Sequence, residues 1–534
     1  MDPVRIRLRN YRLFADEKPA DFIVRQGFTA FVGPNNGGKS SILRMIYELR
    51  LIWQHLANPN GMIPLLRAPE EGGAFQVAMP ALEDPTEIFY DRNTRDLEVD
   101  IEVLLGEQAL SQTPPPLQRI VLVASRPPPN QAVMWRIRFQ WPGGNKPPSF
   151  DTIVGDSVVY GNQRPVLDLG PILRCIRLFN NAFYVGPFRN VLSAQHDRYF
   201  DMLIGSTFVA AWNQWRNGLV KEENKITMKV IGDLQRIFEL QDLDITATHD
   251  GRSLQIRVNS EPYKLREMGG GFSQFVVTLG NVAFARKDLL LIDEPELGLH
   301  PKLQLQFLTA LSGYARAGTL FATHSIGLAR SAAEHVYAVQ STPRGSAVAD
   351  YSGITNLAEF AGEMNFSNYS ALGIDKILLV EGVTEVKTVQ QCLRLLGTEH
   401  RVVIIPMGGS QLARGGVEHE LSELHRITKN VFALVDSERA AHGAPPQQER
   451  ADFENLCKKL GIPVALTALR ATENYLADAA VKIEKGPKYR ALQPFERLEE
   501  LQYGWPKSDN WRIARHMTRE ELEQTDLGKF LGTL

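Results

Sequence analysis

Three stretches of the sequence carry side chains able to work on phosphates and divalent metals. Gly33-Pro34-Asn35-Asn36-Gly37-Gly38-Lys39-Ser40, with Ser41 next, has the spacing G-x-x-x-x-G-K-[ST]. Glycines at these positions let backbone N–H groups turn inward around phosphate oxygens, and a helix N-terminus there adds partial positive charge. The Lys39 ammonium would neutralise β- and γ-phosphate oxygens, and the Ser40 hydroxyl would complete an Mg2+ shell. Gly33, Asn36, Gly37, Gly38, Lys39, Ser40 and Ser41 are therefore the candidate ligands for ATP. In the second stretch the apolar run Leu289-Leu290-Leu291-Ile292 delivers Asp293 and Glu294 to a strand end. Asp293 suits holding Mg2+, and Glu294 suits polarising an attacking water. In the third, Glu381 follows a buried-strand pattern with Glu385 one helical turn on, and Asp436 and Glu438 follow another. Carboxylates brought together repel unless a proton or cation intervenes, so Glu381, Glu385, Asp436 and Glu438 are candidate ligands for Mg2+ or Mn2+. Two such ions suit in-line displacement at a phosphodiester.

The surrounding pattern supplies the elements such residues need. Phe28–Val32 reads as a buried strand before the glycine loop, and Ser40–Trp53 as a helix after it. Leu289–Ile292 and Thr319–Ala322 read as further strands of the same body. Alternation restarts near residue 370, with strands at Ile374–Val380, Val402–Pro406 and Val431–Val435 and a helix over Thr384–Leu396. That is an α/β chain with a second parallel domain, divided near 371 into 1–370 and 371–534. Within the first part, Val4–Leu8 alternates as a half-buried strand. Residues 55–165 read as a proline-interrupted β-rich insert, with strands at Ile120–Val123 and Val133–Phe139. Residues 190–245 read as helical, with the stripe Phe208, Ala211, Trp212, Trp215 and Leu219 forming core or a dimer face.

Composition sets outer limits. The chain has 534 residues, 59 Lys+Arg against 61 Asp+Glu, and 44% hydrophobic residues, which excludes disorder as its main state. No apolar run is long enough for a membrane span, and the N-terminal residues have no apolar signal core. Cys175, Cys392 and Cys457 are far apart, which excludes a cysteine-rich zinc module or a disulfide framework and fits a reducing cytoplasm. From residue 371 onward 22 basic residues nearly cancel 23 acidic ones, so neutrality there does not exclude a local groove for DNA.

Further motifs carry a family resemblance. Met268-Gly269-Gly270-Gly271-Phe272-Ser273-Gln274 opens a helix, Pro295-Glu296-Leu297-Gly298-Leu299-His300-Pro301 follows Asp293-Glu294, and Phe321-Ala322-Thr323-His324-Ser325 ends the next strand. With the glycine loop, this order resembles ABC-type ATPases of the SMC/RecF kind. The resemblance implies that two heads sandwich ATP, with Gly270 and Gly271 reaching the nucleotide of a second copy and His324 contacting the γ-phosphate. The Met268-Gly269 pair departs from the usual Leu-Ser, so the serine hydroxyl of that loop is missing.

The order strand, Glu381-Gly382-Val383-Thr384-Glu385, helix, then strand, Asp436-Ser437-Glu438 looks like a TOPRIM domain, which is Rossmann-like. The resemblance implies Glu381 as acid/base or metal ligand, with Glu385, Asp436 and Glu438 as ligands. Glu438 stands where Asp is commoner. An ABC-type ATPase followed by a TOPRIM domain resembles the OLD family of nucleases (overcoming lysogenisation defect), including Gabija-type anti-phage enzymes. The resemblance implies an ATP-regulated, metal-dependent DNA endonuclease acting as a homodimer or larger homo-oligomer, with a separate defence protein as a conceivable partner.

The C-terminal tail is read more openly. Glu473 is either a further ligand or part of a helix start capped by Thr472. Basic and aromatic residues mix from Lys485 to Arg519, as in a DNA groove or a solvated amphipathic surface. Lys507, ahead of a helix expected over Arg512–Met517, sits where related nucleases carry a phosphate-binding lysine. Two alternatives stay open: an RNA nuclease with the logic of PARIS-like defence, and a RecF-like repair ATPase without cleavage. A transporter, a primase and a topoisomerase are disfavoured by the missing membrane element, zinc ribbon and strand-passage domain.

Overall fold

The computed structural model describes all residues except 69–72, 129–130, 143–147, 188–196, 343–344, 352–375, 400–401, 408–417, 419–420, 423 and 425–429, and the side chains of 301 and 302. The chain divides into two compact units, the first Met1–His324 with His335–Tyr351 and the second Ser325–Glu334 with Ser352–Leu534. The domain boundary expected near 371 lies outside the described residues.

The first unit opens with strands β1 (Val4–Arg9) and β2 (Ala20–Val24). In β1, Val4, Ile6 and Leu8 are buried while Arg5, Arg7 and Arg9 face outward, the two-residue period of a half-buried strand. Strand β3 (Gly27–Val32) leads through the glycine loop into helix α1 (Lys39–Glu48), and α2 (Arg50–Ala57) and α3 (Pro59–Arg67) follow. The single helix expected over Ser40–Trp53 is thus broken at Leu49, where the backbone leaves helical geometry between α1 and α2.

Strands β4 (Ala74–Phe75), β5 (Leu97–Val103), β6 (Arg119–Ser125) and β7 (Met134–Phe139) join β1 and β2 in one antiparallel sheet, ordered β2-β1-β5-β6-β7-β4. The region is β-rich as expected, and four of its strands complete the sheet begun by the N-terminal strand. Its outer face is tied by Arg7 to Asp100 and Glu102, and by Arg9 to Glu98. Strands β8 (Thr152–Val154), β9 (Ser157–Tyr160) and β10 (Arg164–Asp168) form a small sheet of their own.

Strand β11 (Ala182–Val185) belongs to the sheet that carries the glycine loop. After the short pair β12 (Arg198–Tyr199) and β13 (Met202–Leu203), helices α4 (Gly205–Asn217) and α5 (Lys221–Ile237) supply the helical segment. Phe208 and Trp212 of the expected stripe are buried, whereas Leu219 is fully exposed because α4 ends at Asn217. Strands β14 (Leu243–Ala247), β15 (Leu254–Val258) and β16 (Glu261–Lys264) form a three-stranded sheet ahead of helix α6 (Gly270–Ala285). Strand β17 (Leu289–Asp293), helix α7 (Pro301–Ser312), β18 (Gly318–Thr323), β19 (His335–Thr342) and β20 (Gly345–Asp350) complete the unit. The main sheet runs β11-β17-β18-β3-β19-β20, parallel except for its last pair. Every residue of β17 and β18 is buried, as central parallel strands covered on both faces require.

The second unit contains a helix over Ile326–Ala332 and a parallel sheet of β21 (Lys376–Val380), β22 (Val402–Pro406), β23 (Val431–Val435) and β24 (Val464–Leu466). Its order is β22-β21-β23-β24, so the chain reverses its direction of travel across the sheet between β21 and β23. Such a switch point leaves a crevice beyond the carboxyl ends of the two strands. Helices over Val383–Leu396 and Gln448–Leu460 end at Gly397 and Gly461, whose φ of 77° and 72° suits the left-handed cap glycine accepts. The core packs Ile377, Leu379, Ile405, Val431, Ala433 and Phe453 among others. The fully buried Lys387 is neutralised by Glu334. The expected helix over Arg512–Met517 is observed as a shorter one, Asn510–Ala514. Residues 408–410, the Gly-Gly-Ser stretch shortly after β22, lie outside the described residues. Among the described residues no helix is long and apolar enough to cross a membrane. The three cysteines are buried and unpaired.

Candidate functional sites at two sets of strand ends

In the first unit the glycine loop lies between buried β3 and the first turn of α1. Gly38 carries φ 102°, and the left-handed turn it makes is the N-cap of the helix. The first turn of a helix leaves backbone N–H groups without intrahelical acceptors, which suits phosphate oxygens. Lys39 is buried and donates from Nζ to Gly33 O and Pro34 O, each at 2.8 Å. Burial lowers its affinity for a proton, while Glu294, Asp293 and Glu296 pull the other way. Asn36 is exposed in a left-handed conformation and Gly37 is buried, while Ser41 is half-buried in the first turn. A Cβ on Gly33 would fall 2.0 Å from Val339 O. Gly33→Ala is therefore expected to force the loop away from β19, costing about 1–3 kcal/mol of stability. Thermal denaturation and nucleotide titration would check it: melting should fall by several degrees and affinity with it.

The end of β17 completes the site. Ser40 donates to Asp293 Oδ1 at 2.9 Å, and Tyr184 donates to Asp293 Oδ2 at 3.0 Å. Burial raises the Asp293 carboxyl above its ordinary value, against the two hydroxyl donors. The His324 ring, at the end of β18, lies among three polar groups: Nδ1 is 3.0 Å from Gly33 O and 3.4 Å from Lys39 Nζ, and Nε2 is 3.0 Å from Glu294 Oε1. Glu296 fixes that strand end by accepting from Thr323 Oγ1 and the His324 N–H, at 2.8 and 2.7 Å. Lys39, Ser40, Asp293, Glu294 and His324 are thus brought together. A hydroxyl and a carboxylate 2.9 Å apart are hard oxygen donors that fit Mg2+. Gly270 and Gly271 start α6; a Cβ on Gly270 would meet nothing within 4 Å, and one on Gly271 only Leu299 and Leu303 side chains. Tyr184 is a neighbour of Asp293 that residue type and spacing did not single out.

In the second unit the carboxylates gather at the switch point. Glu381 follows β21 and Asp436 follows β23, and the Asp436 N–H donates to Glu381 Oε1 at 3.0 Å. The other Glu381 oxygen accepts from Arg450 at 2.8 Å. Burial pushes the Glu381 carboxyl up to about 7, opposed by Arg450 and assisted by Glu385 and Glu438. Asp436 is pushed well above the carboxylate range by burial, then by Glu385, Glu381 and Glu473. Thr472 donates to Asp436 Oδ1 from both its N–H, at 2.8 Å, and its hydroxyl, at 2.7 Å. Thr472 therefore holds Asp436 and does not cap a helix; its segment is a single 3-10 turn, Thr472–Tyr475.

Other charges complete and restrain the group. Glu438 pairs with Arg470, and Glu385 accepts from the Thr384 hydroxyl at 3.0 Å. Lys507 lies 2.8 Å from Glu473 Oε1, while Glu473 Oε2 is buried without a hydrogen-bond partner. Burial would lower the Lys507 ammonium, but Glu473, Asp436 and Glu385 hold it above its ordinary value. Mutual repulsion and an orphaned buried oxygen fit a cation. Among the described residues, however, no three His, Cys, Asp or Glu side chains surround one point as a ready-made metal cage. Glu381 and Glu438 are held by arginines from 69 and 32 residues away, and no local pattern announces those arginines.

Parts of the chain are similar to known proteins. A family model described as an AAA domain, putative AbiEii toxin of a type IV toxin–antitoxin system, matches residues 246–330. No curated protein matches the sequence. Among solved structures, the SMC head domain from Thermotoga maritima is 11% identical, covering 66% of this chain and 99% of its own, with a TM-score of 0.33. A Smc head with an extended coiled coil, derived from Pyrococcus furiosus and bound to the C-terminal domain of ScpA, is 12% identical, with coverages of 65% and 96% and a TM-score of 0.35. An SmcHead bound to the C-winged helix domain of ScpA is 12% identical, with coverages of 65% and 97% and a TM-score of 0.38. Residues 246–330, which run through β17 and β18, are thus similar to an AAA domain, and beside them the glycine loop, the Ser40–Asp293 pair and His324 form a P-loop nucleotide site of an ATPase.

Proposed function

We propose that the chain is an ATP-regulated, divalent-metal-dependent DNA endonuclease, with an ABC-type ATPase in its first unit and a TOPRIM-like nuclease in its second. The observation that carries the nuclease reading is the joining of Glu381 and Asp436 at the β21–β23 switch point, where burial and neighbouring carboxylates disfavour their charge. Nucleotide is held by Gly33, Asn36, Gly37, Gly38, Lys39, Ser40 and Ser41, and Glu294 orients the water that attacks the γ-phosphate. Mg2+ held by Ser40 and Asp293 would neutralise charge on the phosphates. His324 lies between Gly33 and Glu294, so it can relay the presence of a γ-phosphate to the water-polarising carboxylate. The open space at Gly270 suits close approach by a second copy, which supports a homodimer through the ATPase heads.

In the second unit Glu381, Glu385, Asp436 and Glu438 are the proposed ligands for Mg2+ or Mn2+, which would supply an activated water and stabilise the leaving oxygen. Lys507 would face the phosphate, with Glu473 setting its position. Lys507→Ala is expected to slow cleavage about 100-fold, the cost of losing one donor to developing charge. A plasmid-nicking time course would check it, with Glu473→Gln as the partner variant. Anti-phage defence comes with the resemblance to OLD-family and Gabija-type enzymes, and the three isolated cysteines fit a cytoplasmic setting.

A second reading is an ATPase of the RecF kind that does not cut. The pairing of Glu381 with Arg450 and of Glu438 with Arg470 favours it, since both carboxylates are already neutralised. Incubating the purified protein with plasmid DNA and with tRNA, under Mg2+ or Mn2+ and with or without ATP, separates the readings. Cleaved DNA supports the proposal, cleaved RNA alone transfers the same site to an RNA substrate, and no cleavage under any condition leaves the non-cutting ATPase.

A further inference from the structure

We infer that Tyr184 is a positioning residue for the metal-binding carboxylate of the ATPase site, setting the Mg2+ dependence of nucleotide binding through Asp293. The inference rests on the reading that Ser40 and Asp293 hold the ion that accompanies ATP. Strand β11 pairs in parallel with β17, Tyr184 opposite Leu291 and Val185 opposite Ile292, so the Tyr184 ring lies beside the strand that ends in Asp293. Tyr184 is fully buried, and its hydroxyl donates to Asp293 Oδ2 at 3.0 Å. Ser40 occupies the other oxygen, Oδ1, at 2.9 Å. The carboxylate is thus clamped between the first turn of α1 and the edge strand of the sheet. Arg44, four residues after Ser40 on the same face of α1, places its guanidinium beside the Tyr184 hydroxyl.

The tyrosine is itself held from behind. Its backbone N–H donates to Asp201 Oδ2 at 2.8 Å, and Asp201 receives both terminal nitrogens of Arg50, at 2.6 and 2.7 Å. Arg50 also donates to Ala182 O at 3.1 Å, in the same strand as Tyr184. The ring packs edge-on against Phe200, with centroids 4.8 Å apart, and lies 5.3 Å from Tyr47. A hydroxyl so fixed does two things for Asp293. It keeps the carboxylate in one rotamer, and it supplies a hydrogen bond that strengthens when the carboxylate is ionised, the form that takes a cation. Nucleotide without metal relies on the glycine loop and Lys39, which Tyr184 does not touch.

The test is the Mg2+ dependence of binding by a non-hydrolysable ATP analogue, read as fluorescence titration and as the shift in melting temperature. In Tyr184→Phe the half-saturating Mg2+ concentration should rise about tenfold, the worth of one hydrogen bond to a charged group. Affinity for the analogue in EDTA should match wild type. Tyr47→Phe, which removes a hydroxyl from the same ring cluster without touching Asp293, should keep the wild-type Mg2+ midpoint. An unchanged Mg2+ midpoint in Tyr184→Phe overturns the inference, and so does an equal shift in Tyr47→Phe or an equal loss of affinity in EDTA. If wild type binds the analogue with no response to Mg2+ or to Lys39→Ala, the ATPase reading itself fails and takes this inference with it.

Discussion

Lys39→Ala should weaken Mg2+-ATP binding by roughly 100-fold or more, because two or three charge-assisted hydrogen bonds to phosphate go with the ammonium at about 1.5–3 kcal/mol each. Lys39 is a buried cation near Asp293, Glu294 and Glu296, and its Nζ lies 2.8 Å from two loop carbonyls that phosphate oxygens would replace. Without it, those carboxylates repel an incoming triphosphate. The variant should also lose some stability when no nucleotide is present, since the ammonium ties Gly33 and Pro34 to α1. The two effects separate in a thermal shift experiment. Wild type should melt higher with ATP and Mg2+ by an amount that grows with nucleotide concentration, whereas the variant should start lower and respond only at nucleotide concentrations about 100-fold higher. Wild-type affinity in the variant would exclude Lys39 from the phosphate site.

What could be read from the sequence, and what could not, divides along a physical line. The places of Asp293, Glu294 and His324 were legible because each stands at the end of an apolar strand whose burial fixes where that end must be, and those of Lys39 and Ser40 because the glycine-loop spacing joins such a strand to a helix. Glu381 and Asp436 were legible for the same reason. Contacts made across long sequence separations were not. The antiparallel sheet that joins β1 to β5 brings Arg7 to Asp100, 93 residues away, so a region that reads as an insert supplies four of the six strands of a sheet begun at the N-terminus. Tyr184 reaches Asp293 across 109 residues. Thr472 shows how a local signal is overridden. Its position before Glu473-Asn474 is that of a helix cap, yet a buried carboxylate 36 residues away takes both its donors. An unpaired buried charge costs more than an uncapped turn, so the tertiary partner wins.

Asp436→Asn should slow metal-dependent cleavage at least about 100-fold, given that even partners outside a metal's own ligands cost 10–100-fold in affinity or activity. The same change should leave the metal-free protein as stable as wild type or more so. Asparagine keeps the side-chain oxygen that accepts from the Thr472 N–H and hydroxyl. It removes the negative charge that burial and Glu385, Glu381 and Glu473 all disfavour. A purely structural residue of that burial would behave in the opposite way, losing melting temperature together with function. The contrast can be measured in one set of samples. In EDTA the variant should melt at or above the wild-type temperature. On adding Mn2+ or Mg2+ only wild type should gain stability, because only there does a cation relieve carboxylate repulsion. On plasmid DNA only wild type should nick or cut. Cleavage by the variant at the wild-type rate would remove Asp436 from the chemistry, and with it the reason for placing metals at the β21–β23 switch point. Lost cleavage with a collapsed melting temperature would instead make Asp436 a folding residue, and the arginine pairs at Glu381 and Glu438 would then stand as the resting arrangement of an ATPase that does not cut.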